Sequence, residues 1–178
     1  MIFRVAVTGA QGTGKSSFAR TLYELCSHKI GPSKLLNGTG NAVKSKGIVV
    51  GHLAGEEAIR AFWSAHQKQH PSEGINIFDR CFLDIVAYSR VLGALGKMDQ
   101  DLLEATARLT LQEFNRIFIL PITGPYPEFR DGDEPEEFRE AIQREIIQAA
   151  DDFELSYATI LKDYPHVGVE IIEAAMKQ

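Results

Sequence analysis

Short β-branched runs alternate along this chain with longer stretches whose apolar residues recur every three to four positions, the pattern of strands alternating with amphipathic helices. Residues 2–7, with Ile2, Val5 and Val7, predict a strand that stops at Thr8-Gly9. Phe18, Leu22 and Leu25 then share one face of a helix over 15–28, which Gly31-Pro32 ends. Residues 33–50 are ambiguous, with a short strand predicted over 34–37 and a turn over 38–40. Ile59, Phe62, Trp63 and His66 fall at helical spacing over 56–70, and Pro71 follows. Trp63 reads as a core or groove residue. A strand over 75–78 ends at Asp79-Arg80, and a helix over 82–95 turns Phe82, Ile85, Val86 and Leu92 inward before Gly96. Asp99, as N-cap, opens a helix to about residue 114, and the apolar run 116–120 predicts a strand stopped by Pro121. Residues 123–134 read as a loop. Pro135 suits the first turn of a helix carrying Phe138, Ile142 and Ile146, which continues or restarts through 153–161. A last strand is predicted over 167–172. Five strands with intervening helices imply one three-layer α/β domain spanning residues 1–178.

Composition narrows this picture. At 178 residues, 44% hydrophobic and 24% charged, the chain has the size and balance of one soluble globular domain. Its longest apolar run, near residues 117–122, is too short to span a bilayer, and the N-terminus has no signal-peptide pattern, so a cytoplasmic protein is expected. Cys26 and Cys81 lack metal-ligand spacing and read as small buried apolar residues. A net charge of −5 argues against a dedicated nucleic-acid binder. The charge is uneven, however. No acidic residue lies between Glu24 and Glu56, where Lys29, Lys34, Lys44 and Lys46 occur. From Glu128 to Glu154, eleven carboxylates stand against Arg130, Arg139 and Arg144. Both stretches serve as solvated surface, or the basic one faces an anionic substrate.

The chemistry begins after the first strand. Residues 9–16 read Gly-Ala-Gln-Gly-Thr-Gly-Lys-Ser, which satisfies G-x-x-x-x-G-K-[ST] between a predicted strand and a predicted helix. Gly9, Gly12 and Gly14 let the backbone curl so that its N–H groups converge on a phosphate. The helix that follows presents its positive N-terminus to the same anion. Gly9, Ala10, Gln11, Gly12, Thr13, Gly14, Lys15, Ser16 and Ser17 are therefore the candidate nucleotide contacts. Lys15 reaches the β- and γ-phosphates, and the Ser16 hydroxyl ligates Mg2+. A triphosphate such as ATP, with Mg2+, is the expected ligand.

The chain has no Asn-Lys-x-Asp guanine-reading motif, and it is too short for a large motor ATPase with its signature elements. A small kinase is what remains natural at this size. The second informative segment is Ile75-Asn-Ile-Phe-Asp-Arg-Cys-Phe-Leu-Asp-Ile-Val-Ala-Tyr88. A strand ending in Asp79-Arg80 puts a carboxylate and a guanidinium at the carboxyl edge of the sheet, where open α/β sheets bind ligands. Asp79 is a candidate Mg2+ carboxylate or general base, and Arg80 a candidate phosphate contact. The alternative is a pair serving only surface charge or a helix cap. Asp84 reads as a structural hydrogen-bond partner.

With the loop at 9–16 followed by Asp-Arg-x3-Asp-x2-Ala-Tyr, the sequence resembles the AAA-type domains grouped with the nicotinamide-riboside kinase module of bacterial NAD regulators. It resembles thymidylate and deoxynucleoside kinases more remotely. The resemblance covers about residues 2–161 and is specific over 5–20 and 75–90. It implies a parallel sheet of order 2-3-1-4-5, Mg-ATP as donor, a nucleoside, nucleotide or similar small metabolite as acceptor, and a lid over about residues 124–138. Two departures stand out. Relatives commonly carry Asp-Gly-x-Arg in the lid, whereas this chain reads Asp131-Gly132-Asp133-Glu134. Arg130 or Arg139 is then the candidate arginine finger in cis, the alternative being surface arginines paired with glutamates at i,i+4. The loop Asn37-Gly38-Thr39-Gly40-Asn41 also lacks the carboxylate that nucleoside kinases often have there. The stretch from Lys29 to Lys46 and the helix with Trp63 are expected to shape the acceptor pocket. Two rival functions remain: a regulatory ATPase whose lid is read by a protein partner, and a kinase of nucleic-acid ends. A homodimer is also left open.

Overall fold

The computed structural model describes residues 1–124 and 135–178. Its strands are β1 (Ile2–Thr8), β2 (Ser33–Leu36), β3 (Gly74–Asp79), β4 (Arg116–Ile119) and β5 (Ala158–Thr159). All neighbouring strands pair in parallel, in the order β2-β3-β1-β4-β5. The helices are α1 (Lys15–Lys29), α2 (Gly40–Lys44), α3 (Glu56–Gln67), α4 (Phe82–Leu92), α5 (Lys97–Leu111), α6 (Glu136–Asp152) and α7 (Pro165–Met176), with a 3-10 turn at Gly51–Leu53.

The period of two along each central strand explains the layering. In β1, Phe3, Val5 and Val7 pack with α1 and α7 on one face, while Ala6 joins α4, α5 and α6 on the other. In β4, Phe118 goes to the first core, and Ile117 and Ile119 go to the second. Both faces of the sheet are thus covered, as parallel sheets require. Phe18 of α1 meets Phe118 edge-on at 6.3 Å between ring centroids. A polar residue inside this core needs partners, and the fully buried Asn76 has them in Ser72 and the Gly74 carbonyl.

The five-strand sheet and its order agree with the expectation, but the last strand does not lie over 167–172. That segment is helix α7, and β5 is a two-residue strand inside the stretch expected to extend α6. Val167, Val169 and Ile171 would share a strand face, yet the residues buried are Gly168, Val169 and Ile172, on one helical face. Pro165 at the helix start and the fit of Gly168 against Leu22 of α1 and Phe118 override the β-branched composition. A Cβ at Gly168 would lie 3.1 Å from Leu22, so glycine is what lets α7 seat this closely.

Three boundaries also differ. Helix α4 ends at Leu92, where Gly93 takes the left-handed conformation at φ 56°, instead of running to Gly96. Gly96 caps α5, and Asp99 lies in its first turn, bound to Arg60 of α3 at 2.7 Å. The expected turn over 38–40 leads directly into the short helix α2. Among the described residues no helix is long and apolar enough to cross a membrane.

Candidate functional site

The loop between β1 and α1 is shaped by close approach as much as by its glycines. Gly9 has φ 142°, and a Cβ there would sit 2.4 Å from the Leu120 carbonyl oxygen at the end of β4. Gly12 and Gly14 have φ 72° and 87°, so the chain turns twice through conformations that side chains resist. Gly14 is the N-cap of α1, which places Lys15, Ser16 and Ser17 in the first turn at its positive end. Ser16 and Ser17 are exposed, whereas Lys15 is buried.

The loop's own polar groups hold it closed on itself. Lys15 Nζ donates to the Ala10 carbonyl at 2.5 Å, and Thr13 Oγ1 donates to the same oxygen at 2.9 Å. Helix α6 secures the loop from the other side. The Ala10 N–H donates to Gln143 Oε1 at 2.8 Å, and Arg139 Nε donates to the Gln11 carbonyl at 2.8 Å. The stem of Lys162, from the loop after β5, lies 3.1 Å from where a Gly14 Cβ would be. The aliphatic part of Lys162 therefore packs against the loop. Sequence spacing had no means of naming Lys162 or Gln143, because both reach the loop from more than a hundred residues away.

Arg139 is not a surface arginine. Only 2% of it is exposed, and besides Gln11 it donates to the Gly124 carbonyl at 2.9 Å and to Glu136, three residues earlier, at 2.8 Å. It joins the loop between β1 and α1 to the segment leaving β4. Arg144, by contrast, is an exposed arginine near Glu140. Arg130 and residues 125–134 of the expected lid lie outside the described residues.

The carboxyl end of β3 stands next to this loop, since Val7 of β1 is in register with Asp79. Asp79 is 8% exposed, and its Oδ1 is buried without a hydrogen-bond partner among the described residues. An orphan carboxylate oxygen at a ligand-binding sheet edge is a costly feature that a bound cation or hydroxyl would relieve. Gly38 packs against it. A Cβ at Gly38 would come within 3.0 Å of the Asp79 carbonyl and 3.3 Å of its Oδ2.

Arg80 follows in the left-handed region at φ 83°, which is costly for a residue with a side chain. Asp84, one turn into α4, compensates. Its Oδ1 accepts from Arg80 at 3.0 Å, and its Oδ2 accepts from Thr8 Oγ1 at 2.7 Å and from the Cys81 N–H at 3.0 Å. Burial works against the Arg80 guanidinium, but Asp84, Tyr88 and Asp79 outweigh it and hold its pKa above the ordinary arginine value. Asp84 therefore links β1, Arg80 and the start of α4 in one buried cluster. His66 of α3, 7% exposed and with its ring tilted against Phe82 at 5.8 Å between centroids, lies close enough to feel the charges of this cluster. Burial pushes its pKa down to about 4; Asp84 opposes this and Arg80 adds to it. No group of three or more metal-ligating side chains occurs among the described residues. Any cation here would depend on one carboxylate, a hydroxyl and oxygens from elsewhere.

A family model described as an AAA domain matches residues 4–165. The chain belongs to this AAA-domain family. No curated protein matches the chain. Among solved structures, this AAA domain is similar to NadR protein in complex with NR, with a TM-score of 0.76 and 16% identity over 99% of the chain and 52% of that one. It thus spans about half the length of NadR. It is similar to thymidylate kinase from Ehrlichia chaffeensis, with a TM-score of 0.66 and 16% identity over 98% of each chain. It is also similar to deoxyadenosine kinase from M. mycoides, with a TM-score of 0.63 and 15% identity over 98% of each chain. At such identities the AAA domain shares their fold, including the five-stranded parallel sheet of order 2-3-1-4-5.

Proposed function

We propose that this AAA domain transfers a phosphoryl group from Mg-ATP to a nucleoside, a nucleotide or a similar small metabolite. The observation that carries the reading is the orphaned, buried carboxylate of Asp79 in register with the strand that delivers the phosphate-binding loop. A loop alone binds nucleotide; a carboxylate held beside it gives the acceptor somewhere to be activated. Similarity in fold to NadR and to the two nucleoside and nucleotide kinases is consistent with this.

The loop amides from Gly9 to Gly14 and the start of α1 bind the triphosphate, with Lys15 turning from the Ala10 carbonyl to the β- and γ-phosphates. The acceptor hydroxyl forms a bond to the γ-phosphorus as the bond from phosphorus to the β,γ-bridging oxygen breaks, and ADP leaves. Asp79 takes the hydroxyl proton. Arg80, held by Asp84, steadies the transferring group or an acceptor phosphate. Ser16, an exposed hydroxyl at the helix start, fits as a ligand of a magnesium ion that keeps several waters, and Asp79 would reach the ion through one of those waters. When bound, the ion neutralises charge on the phosphates.

A second reading has its own observation. Arg139 is committed to Gln11 and Gly124 rather than held at the surface, so it couples the loop to the segment leaving β4. That coupling suits an ATPase in which nucleotide occupancy reorders a neighbouring segment for a protein partner.

The test is ADP formation from Mg-ATP, alone and with a panel of nucleosides, nucleoside monophosphates and nicotinamide riboside. Stimulation by one acceptor, with its phosphorylated product found by mass spectrometry, is the expected result. ATP binding without acceptor-stimulated turnover transfers the weight to the regulatory reading. Lys15→Ala is expected to lower nucleotide affinity or turnover at least about a hundredfold with the fold retained. Unchanged affinity and activity in that variant would remove the basis of both readings.

A further inference from the structure

Order along the carboxyl edge of the sheet runs from the phosphate-binding loop on β1, through Asp79 on β3, to the loop after β2. Adjacent strands lie about 4.8 Å apart, so the β2 loop stands roughly 10 Å from the donor site, with the carboxylate between them. Beyond that loop, between α2 and α3, is a cavity of about 440 Å3. Asn37, Gly38 and Thr39 form the wall nearest Asp79, and Gly38 is in contact with the Asp79 carboxylate. Gln69 holds this wall in place by donating to the Asn37 carbonyl at 3.0 Å.

The lining is chemically one-sided. Lys46, just past α2, and Lys68, at the end of α3, both line the cavity, with Ser64 as a neutral donor and no carboxylate among the lining residues. In a chain of net charge −5, a half-enclosed space with two cations and no acid is a departure from the average surface. Thr39 adds a buried hydroxyl with no partner among the described residues. The cavity is large enough for a phosphate ester and part of the group it is attached to.

We infer that the cavity between α2 and α3 binds a phosphate monoester of the acceptor, at the end remote from the oxygen that reacts at Asp79. The inference rests on the kinase reading and sharpens it. The acceptor is a small metabolite that already carries a phosphate, and Lys46 and Lys68 select for that charge. Neither lysine takes part in the transfer itself. They position the acceptor by its far end, so their loss appears in binding and in KM while kcat is retained.

The experiment uses the full chain with its phosphate-binding loop saturated by Mg2+ and a non-hydrolysable ATP analogue, so that added phosphate does not report that loop. Calorimetric titrations compare ribose 5-phosphate and nucleoside monophosphates with ribose and the matching nucleosides, and include orthophosphate alone. The expected result is at least one ester that binds about tenfold or more tighter than its neutral counterpart and than orthophosphate. Lys46→Ala and Lys68→Ala each weaken that ester about tenfold, Lys44→Ala does not, and added salt weakens it further. Because these lysines are exposed, the variants are expected to melt with the parent, which a thermal scan checks. Equal binding of ester and neutral compound, or affinities indifferent to both lysines, overturns the inference. Orthophosphate binding as tightly as every ester also overturns it, by making the cavity a free-anion site. These failures leave the kinase reading intact, which falls only if no acceptor stimulates ADP formation.

Discussion

Two glycine-rich loops, after β1 and after β2, face each other across Asp79 and are built in opposite ways. The first is fastened at nearly every residue: Ala10 by Gln143, Lys15 and Thr13, Gln11 by Arg139, and Gly9 by its contact with Leu120. The second, Asn37 to Asn41, has fewer ties to the rest of the molecule, with Gln69 at the Asn37 carbonyl and helix α2's own N–H groups at the Thr39 and Asn41 carbonyls, and it opens on a cavity. A site for triphosphate must present a fixed set of N–H groups, and preorganisation is what makes such donors effective. A site that selects an acceptor needs room and a few polar contacts, which a lightly held loop supplies. On the proposed kinase reading, the part of the site that holds the triphosphate is therefore rigid, and the part that selects the acceptor is not.

The largest effect is expected at Gly9. Gly9→Ala puts a methyl group 2.4 Å from a backbone oxygen that cannot move without distorting β4. We expect a loss of about 3 kcal/mol or more, read as a lowered denaturation midpoint. A variant as stable as the parent would show the first loop to be as adaptable as the second.

Arg139→Ala comes next, with an expected loss of about 3 kcal/mol, because the Gln11 and Gly124 carbonyls lose a charged donor inside the protein. Arg139→Lys should recover part of the stability while leaving ATP affinity reduced. If Arg139 instead serves the transition state, the lysine variant will keep ATP affinity and lose kcat, which single-turnover kinetics would reveal.

His66 provides a pH test of the cluster between the loops. Its pKa falls from 6.5 in the unfolded chain to about 4 in the folded protein, so below pH 6.5 the unfolded state binds the extra proton. The contribution of neutral His66 is complete above pH 6.5 and is lost as the pH falls toward 4, by up to about 3 kcal/mol. His66→Gln should flatten the slope of stability against pH in that interval, as measured by denaturant titrations. An unaltered slope would mean that other groups govern it.

The smallest effect on stability is expected at Gly38. A methyl group there meets the Asp79 carbonyl at 3.0 Å, and the lightly held loop can shift by the few tenths of an ångström required. Gly38→Ala should cost about 1 kcal/mol or less. Its effect on turnover should be larger, because the shift moves the wall of the cavity against the carboxylate. Equal losses at Gly9 and Gly38 would erase the contrast between the loops.

Legibility in the sequence follows the same division. The glycine loop at 9–16 could be read because its requirements are local: glycines where φ is positive, a lysine and a serine at the helix start, a strand before and a helix after. Asp79-Arg80 could be placed at the sheet edge because a short apolar run ends there. The misread C-terminal strand shows where local rules stop. The run around Val169 to Ile172 has strand composition, and the seat of Gly168 on Leu22 and Phe118, with Pro165 at the start, makes it helix α7.

What the chain's order of residues determined by itself was the alternation of strands and helices, the glycine loop and the carboxylate that ends β3. Each depends on interactions within a few residues, where backbone sterics and side-chain period leave few choices. Tertiary structure alone decided that Arg139 is buried against Gln11, that Asp84 braces Arg80 and Thr8, and that Lys46 and Lys68 line one cavity. Those pairings join residues distant in sequence or set side-chain directions that spacing does not prescribe, and they exist only once the layers have packed and excluded water from between them.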